Sequence, residues 1–211
     1  AKRCYYIAND WREKELEELW VTGEKAQKTA SFGRNWGYYV GMDAIRDYYV
    51  TAHNEKLDAL PGDRAQGCLF HHPVSTGLVH EAYDGQTARG LWYCISQETL
   101  RQTETEADAR WYMEKLAIDF LKEDGQWKIW HFFVGTDLGC TAGEPYAERK
   151  PQPRPENAEP DPMMEIMAAL PKPTIPAALY HCKYGWHEWP HWPVPYATHT
   201  AELSYGPEQY M

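Results

Sequence analysis

The chain lacks most of the features by which a function is easily read. No apolar run is long enough to span a bilayer, and no secretory signal is visible. Positive charge is scarce: 21 Lys and Arg stand against 31 Asp and Glu, a formal net charge of -10. That balance argues against nucleic acid or a membrane surface as the main partner, because both attract basic patches. It reads first as a solubilising acidic surface. The five cysteines, Cys4, Cys68, Cys94, Cys140 and Cys182, form no CxxC pair and no zinc-like spacing. An odd, scattered set suits reduced thiols and a cytoplasmic location better than a disulfide framework. There is no Gly-rich phosphate loop and no G-x-S-x-G, so nucleotide cofactors and serine hydrolysis are set aside and no cofactor is expected. There is no internal repeat. The chain opens on Ala1, not Met, which leaves room for an upstream segment.

Aromatic residues are abundant. Ten Trp and 15 Tyr in 211 residues exceed the needs of one core and suggest that some line a cavity or an interface. With 43% hydrophobic residues the chain is globular. Residues 2–21 read as one amphipathic helix, 26–33 as a short strand and Arg34–Tyr39 as an aromatic loop. Gly41-Met42-Asp43-Ala44-Ile45 opens a second helix that runs to about Leu60, where Pro61-Gly62-Asp63 ends it. Residues 68–82 and 86–96 form a hairpin about Asp84-Gly85, because Asp-Gly favours the positive backbone angles of a tight turn. A polar connection, QETLRQTETEAD, follows. Residues 109–121 form a long strand, with a helical alternative open on periodicity. Asp124-Gly125 turns it back into 126–134. Beyond Asp137 the character changes: PQPRPENAEPDP is a linker, a short helix covers 162–169, and the aromatic, proline-rich remainder cannot form regular ladders. Two regions follow, a folded domain over 1–137 and an extension over 138–211. The extension is expected to pack on the body or on a neighbouring subunit of a homo-oligomer, with Trp186, Trp189 and Trp192 as an arm or lid.

This order of elements resembles the nuclear-transport-factor-2-like superfamily, most strongly in Gly41–Tyr48, Asp84–Tyr93 and Glu123–Trp130. The resemblance covers residues 2–136. It implies an α+β cone in which a curved antiparallel sheet wraps around helices. The wide end of such a cone, too large for its helices to fill, holds an apolar, ligand-sized pocket. Within the superfamily the chain is similar to SnoaL-like dehydratases such as scytalone dehydratase and bile acid 7α-dehydratase. These carry a Tyr and an Asp five residues apart on the first helix and a His on an early strand. Tyr5 and Asp10 have that spacing, and His71 and His72 precede the strand leading to Asp84. About two extra residues between His72 and the Asp-Gly turn leave the choice between the histidines open.

The resemblance implies a cofactor-independent lyase acting on a small hydroxylated aromatic or polycyclic molecule. His72 or His71 would move the proton, Asp10 would orient the imidazole, and Tyr5 would polarise or protonate an oxygen. A retro-aldol cleavage, a ketosteroid-isomerase-like double-bond shift and a non-catalytic binding module remain as alternatives. Each residue has a plainer reading. Tyr5 suits a core, Asp10 a solvated helix among the charges of NDWREKE, and one histidine an ordinary strand position. If the strand is regular, the two histidines point to opposite faces. His131 shares a face with Trp127, Ile129 and Phe133 and is a further pocket candidate. Trp36, Tyr38, Tyr39, Trp92 and Phe133 are candidate apolar walls, and Tyr48 and Tyr49 candidate closures. His80 and Glu81 read as surface, and Asp119, in the run LAIDFL, as facing out in preference to a buried carboxylate. His181, His187 and His191, with Cys182 and Glu188, offer metal-ligand types, but Pro190 and Pro193 disfavour the helix that would gather them. No metal is expected.

Overall fold

The computed structural model describes residues 1–60, 62–63, 66–101, 103, 106–143, 168–176 and 189–208. The N-terminal amphipathic stretch is two helices, α1 (Lys2–Ala8) and α2 (Arg12–Leu19). Asp10 breaks them apart. Its backbone sits in the left-handed region at φ 55°, a conformation that Asp tolerates better than most residues. The Asn9 side chain also donates to the Tyr5 carbonyl at 2.7 Å, satisfying the end of α1. The strand expected over 26–33 is mostly a helix, α3 (Glu24–Thr29). Its residues EKAQKT are polar helix formers without period-two alternation, and Glu24 pairs with Lys28 one turn on at 2.7 Å. The strand begins only at β1 (Ser31–Arg34), and the expected aromatic loop becomes its hairpin partner β2 (Gly37–Val40).

Gly41, at φ 87°, opens α4 (Met42–Arg46). The same helix continues through a π-helical turn, Asp47–Thr51, into α5 (Ala52–Asp58). One extra residue in that turn re-aims the side chains it carries, Tyr48 and Tyr49.

The remaining strands are β3 (Leu69–His71), β4 (Val74–Glu81), β5 (Thr87–Arg101), β6 (Ala107–Glu123), β7 (Gln126–Thr141) and a short β8 (Ile175–Pro176). The residues 109–121, open between strand and helix, are strand. The polar connection is shorter than expected because β5 runs on to Arg101. Both β3 and β4 pair with β5, and the sheet continues β5-β6-β7-β1-β2-β8. Among the described strands every pairing is antiparallel except β1 with β7. Asp124 and Gly125 take φ 47° and 74°, the two positive angles a tight hairpin requires. The expected helix over 162–169 lies largely outside the described residues.

β-Bulges at Met113/Glu114 and Asp119/Phe120 shift the β6–β7 register and bend the sheet. The helices fill the concave side. Trp20, Phe32, Ile45 and Phe132 are almost fully buried there, and Phe32 meets Phe132 edge-on at 5.3 Å. On the other face Tyr38, Ala117, Phe133 and Tyr205 form a second cluster, packed against by Ile175 and Trp189. The segment 189–208 therefore straps across the outside of the sheet. Tyr83 and Asp84 donate their N–H groups to the carbonyls of Tyr196 and Ala197. Of the tail tryptophans, Trp189 packs on Phe133 and Tyr205, Trp192 is exposed, and Trp186 lies outside the described residues. No described helix is long and apolar enough to cross a membrane.

Candidate functional site

A cavity of about 460 Å³ lies between the helices and the concave face of the sheet. Its apolar wall includes Ile7, Phe32, Trp36, Tyr48, Tyr49 and Leu116. Its polar wall is dense: Arg12, Arg34, His53, His72, Glu98 and Glu114 all face it.

The structure settles which adjacent histidine turns inward. His71 ends β3 opposite Gln97 and is exposed, so His72 points into the cavity. Its Nε2 lies 3.1 Å from Glu98 and its Nδ1 3.7 Å from Glu114. Burial alone would lower its pKa, but hydrogen bonding to Cys94, Glu114 and Glu98 outweighs this and raises it to about 10. His72 is therefore an imidazolium at neutral pH. The carboxylates respond in kind. Burial pushes Glu114 up, yet the His72 hydrogen bond and the Arg34 charge hold it at about 2. Glu98 is likewise lowered, chiefly by His72 against the cost of burial. Glu114 also accepts from Ser96 at 2.6 Å and Thr136 at 3.2 Å, which fixes its orientation.

Asp10 does not join His72. Its left-handed turn aims the carboxylate at His53 on α5, with Oδ1 2.6 Å from Nε2. Arg12 stands 3.6 Å from the same oxygen. Burial lowers the His53 pKa and the bond to Asp10 only partly restores it, so this imidazole is neutral at pH 7. The structure thus presents two imidazole–carboxylate pairs to one cavity in opposite protonation states. Burial also raises the hydroxyl pKa of Tyr48, and of Tyr112 to about 12, keeping both as proton-bearing groups.

Several expected site residues lie elsewhere. Tyr5 is 69% exposed on the outer side of α1. Trp36, Tyr48 and Tyr49 do line the cavity. Tyr38 and Phe133 belong to the opposite face of the sheet. Tyr39 stacks on Tyr48 at 4.0 Å behind the wall, and Trp92 packs edge-on against Phe120. His131 is fully buried on the outer face. The bulge that leaves Trp130 unpaired separates it from Ile129, which joins the concave core. Asp119, expected to face out, is instead a buried carboxylate, because the strap covers it on the outer face of the sheet.

His53, Glu98, Glu114 and Arg34 were not singled out from sequence. Two were legible. Tyr112, Glu114 and Leu116 alternate along β6, which places a glutamate on an inward apolar face. His53 follows Tyr49 by one helical turn on the helix that Gly41 opens. Among the described residues, two groups of side chains could hold a metal. His72, Cys94 and Glu114 in the cavity offer one, and His131, His199 and Glu208 under the strap the other; within each, the ligand atoms lie within 4.8 Å of one another. Of the tail residues considered as ligands, His191 is described; His181, Cys182, His187 and Glu188 lie outside the described residues.

The sequence profile of the SnoaL-like domain family matches residues 1–132, the span that carries the cavity wall apart from Val134, Thr136 and Leu170. The chain belongs to this family. The chain is also similar to solved structures. An NTF2-like family protein from Streptomyces avermitilis, proposed to be a dehydratase, superposes with a TM-score of 0.50 at 15% identity, covering 64% of this chain and 89% of its own. The hexachlorocyclohexane dehydrochlorinase LinA-type3 from Novosphingobium barchaimii LL02 gives 0.47 at 14% identity, covering 67% and 84%. Rv3472, a protein of unknown function from Mycobacterium tuberculosis, gives 0.44 at 21% identity, covering 64% of this chain and 65% of that one. No curated protein matches the chain. At 15% identity the likeness to the Streptomyces avermitilis structure speaks for the nuclear-transport-factor-2-like fold alone, and the chemistry of this SnoaL-like protein must be argued from its own side chains.

Proposed function

We propose that this SnoaL-like protein is a lyase of the dehydratase type, acting on a small hydroxylated aromatic or polycyclic molecule bound in the 460 Å³ cavity. One observation carries the reading: two imidazoles face the same space, one held neutral by burial and one held cationic by two carboxylates. Environments that push paired groups apart in pKa define a base and an acid. His53 donates its Nε2 proton to Asp10 and so keeps a lone pair on Nδ1. It removes the proton from a carbon next to a carbonyl. The electron pair left behind forms the new C=C bond as the C–O bond to the hydroxyl breaks. His72 gives its proton to the departing oxygen, which leaves as water. Proton exchange with solvent then returns His53 to neutral and His72 to cation. The aromatic wall of Phe32, Trp36, Tyr48 and Tyr49 suits a flat substrate, and the volume suits one of ordinary metabolite size. The lowered pKa values of Glu98 and Glu114 make them poor proton acceptors, which weighs against a double-bond shift driven by a cavity carboxylate.

The test is incubation with a set of β-hydroxy aryl ketones, reading the ultraviolet absorbance of the conjugated product, with released formaldehyde assayed in parallel. Turnover that falls roughly 10²–10⁴-fold in both His53→Ala and His72→Gln, the usual range for positioned acid–base groups, supports the assignment. Turnover that survives both changes overturns it. Formaldehyde in place of the conjugated product keeps the two groups but changes the bond they break to C–C.

A further inference from the structure

We propose a second, metal-binding site on the outer face of the sheet, in which His131, His199 and Glu208 hold a divalent transition ion that clasps the C-terminal strap to β7. The site is independent of the cavity chemistry. His131 is fully buried, and its Nε2 makes no hydrogen bond. That nitrogen faces the Glu208 carboxylate, 3.3 Å from Oε1, and His199 Nε2 lies 3.9 Å from the same oxygen. Both ring nitrogens of His199 and the Oε2 of Glu208 are also buried without a hydrogen-bond partner. Two ligands of one tetrahedral zinc ion, each about 2.0–2.1 Å from it, stand about 3.3 Å apart. One separation matches that spacing, and all three ligand atoms lie within 4.8 Å of one another, so a modest side-chain adjustment gathers them on one ion.

The surroundings support ligation. Asp119 Oδ2 lies 3.0 Å from Nδ1 of His131. A carboxylate there fixes the tautomer with the proton on Nδ1 and turns the Nε2 lone pair toward the empty position, the usual support for a metal-bound imidazole. Asp119 is itself fixed by Ser204 at 3.0 Å, by the Tyr205 N–H at 2.6 Å and by Arg89 at 3.3 Å. Trp130 stacks on His131 at 4.1 Å, holding the ring plane. Gly206 lets the strap come this close, since a Cβ there would stand 2.5 Å from Glu208 Oε2 and 2.7 Å from the His131 ring. Two imidazoles and a carboxylate are the ligand types of zinc and its first-row neighbours. Fewer than four protein ligands leave a position for water.

The alternative is an imidazolium at His131 bridging Asp119 and Glu208 with no ion. The experiment separates the two. Full-length protein, stripped with chelator, is titrated with Zn²⁺ by calorimetry and with Co²⁺ by visible absorption. The expected result is one ion per chain bound at the strap, with the spectrum of a low-coordinate cobalt centre. Affinity should fall about 100-fold or more in His199→Ala and Glu208→Gln, and roughly 10–100-fold in Asp119→Asn, the usual range for a supporting partner. Melting in chelator checks that the variants fold, and Glu208→Gln changes only one atom. His72→Gln removes a ligand of the cavity group, so the strap site is also read in that variant, where one Zn²⁺ per chain should still bind. No binding in the wild-type protein, binding unchanged in Glu208→Gln, or binding lost in His72→Gln would each overturn the proposal.

Discussion

Replacing His72 by Gln should cost stability in a pH window that the structure defines. The imidazole moves from an ordinary 6.5 to about 10 in the folded protein, because the bonds to Cys94, Glu114 and Glu98 outweigh burial. A group whose pKa rises on folding stabilises fully below its unfolded pKa and loses that contribution as pH climbs through the folded one. The His72 contribution is therefore complete at pH 6 and fades between 6.5 and about 10. At about 1.4 kcal/mol per pH unit the ceiling is roughly 5 kcal/mol, shared between the two carboxylates. The acid-side contributions of Glu98 and Glu114, both lowered, belong to a separate window below pH 4.5. Burial lowers Lys56, so it contributes with the opposite sign; comparing wild type with His72→Gln at each pH removes that effect. Urea unfolding at pH 6, 8 and 10 should show a gap of a few kcal/mol at pH 6 that closes toward pH 10. NMR titration of the imidazole should find it protonated past pH 8, and at lower pH in Glu114→Gln. A His72 resonance that titrates near 6.5, or a gap that does not change with pH, would refute the reasoning.

Further outcomes are equally checkable. Asp10→Asn removes the acceptor that fixes the His53 tautomer and should lower turnover on the substrates above by at least tenfold, while Tyr5→Phe, on an exposed side chain, should leave it unchanged. Phe132→Ala empties the centre of the concave core and should cost about 3–5 kcal/mol in urea unfolding. Gly206→Ala should loosen the strap, read as faster hydrogen exchange at the N–H of Tyr205, because its new Cβ has no room beside Glu208 and His131.

The family and the course of the sheet were legible in the sequence because they rest on local signals. The two Asp-Gly turns, the Gly41 helix start and the alternation along β6 each need only a few neighbouring residues. Sequence reasoning went astray where a single backbone irregularity decides direction. The left-handed Asp10 sends its carboxylate to His53 instead of His72. The bulge at Trp130 separates Ile129 from His131, and the π-helical turn sets where Tyr48 and Tyr49 point. Asp119 was expected to face out and is buried, because its burial depends on the strap about eighty-five residues later, and no periodicity reports a contact at that range.

The parallel pairing of β1 with β7 has a kinetic consequence. Ser31–Gly33 find their sheet partner only at His131–Phe133, so the helices made first have no completed surface to pack on until β7 is synthesised. Loop closure over that span must precede the contacts that reward it. Trp20, Phe32 and Ile45, nearly fully buried in the native chain, stay uncovered through most of translation. The cavity is thus assembled after synthesis of the domain is complete, and any truncation before β7 yields a chain that presents its core to solvent and to aggregation.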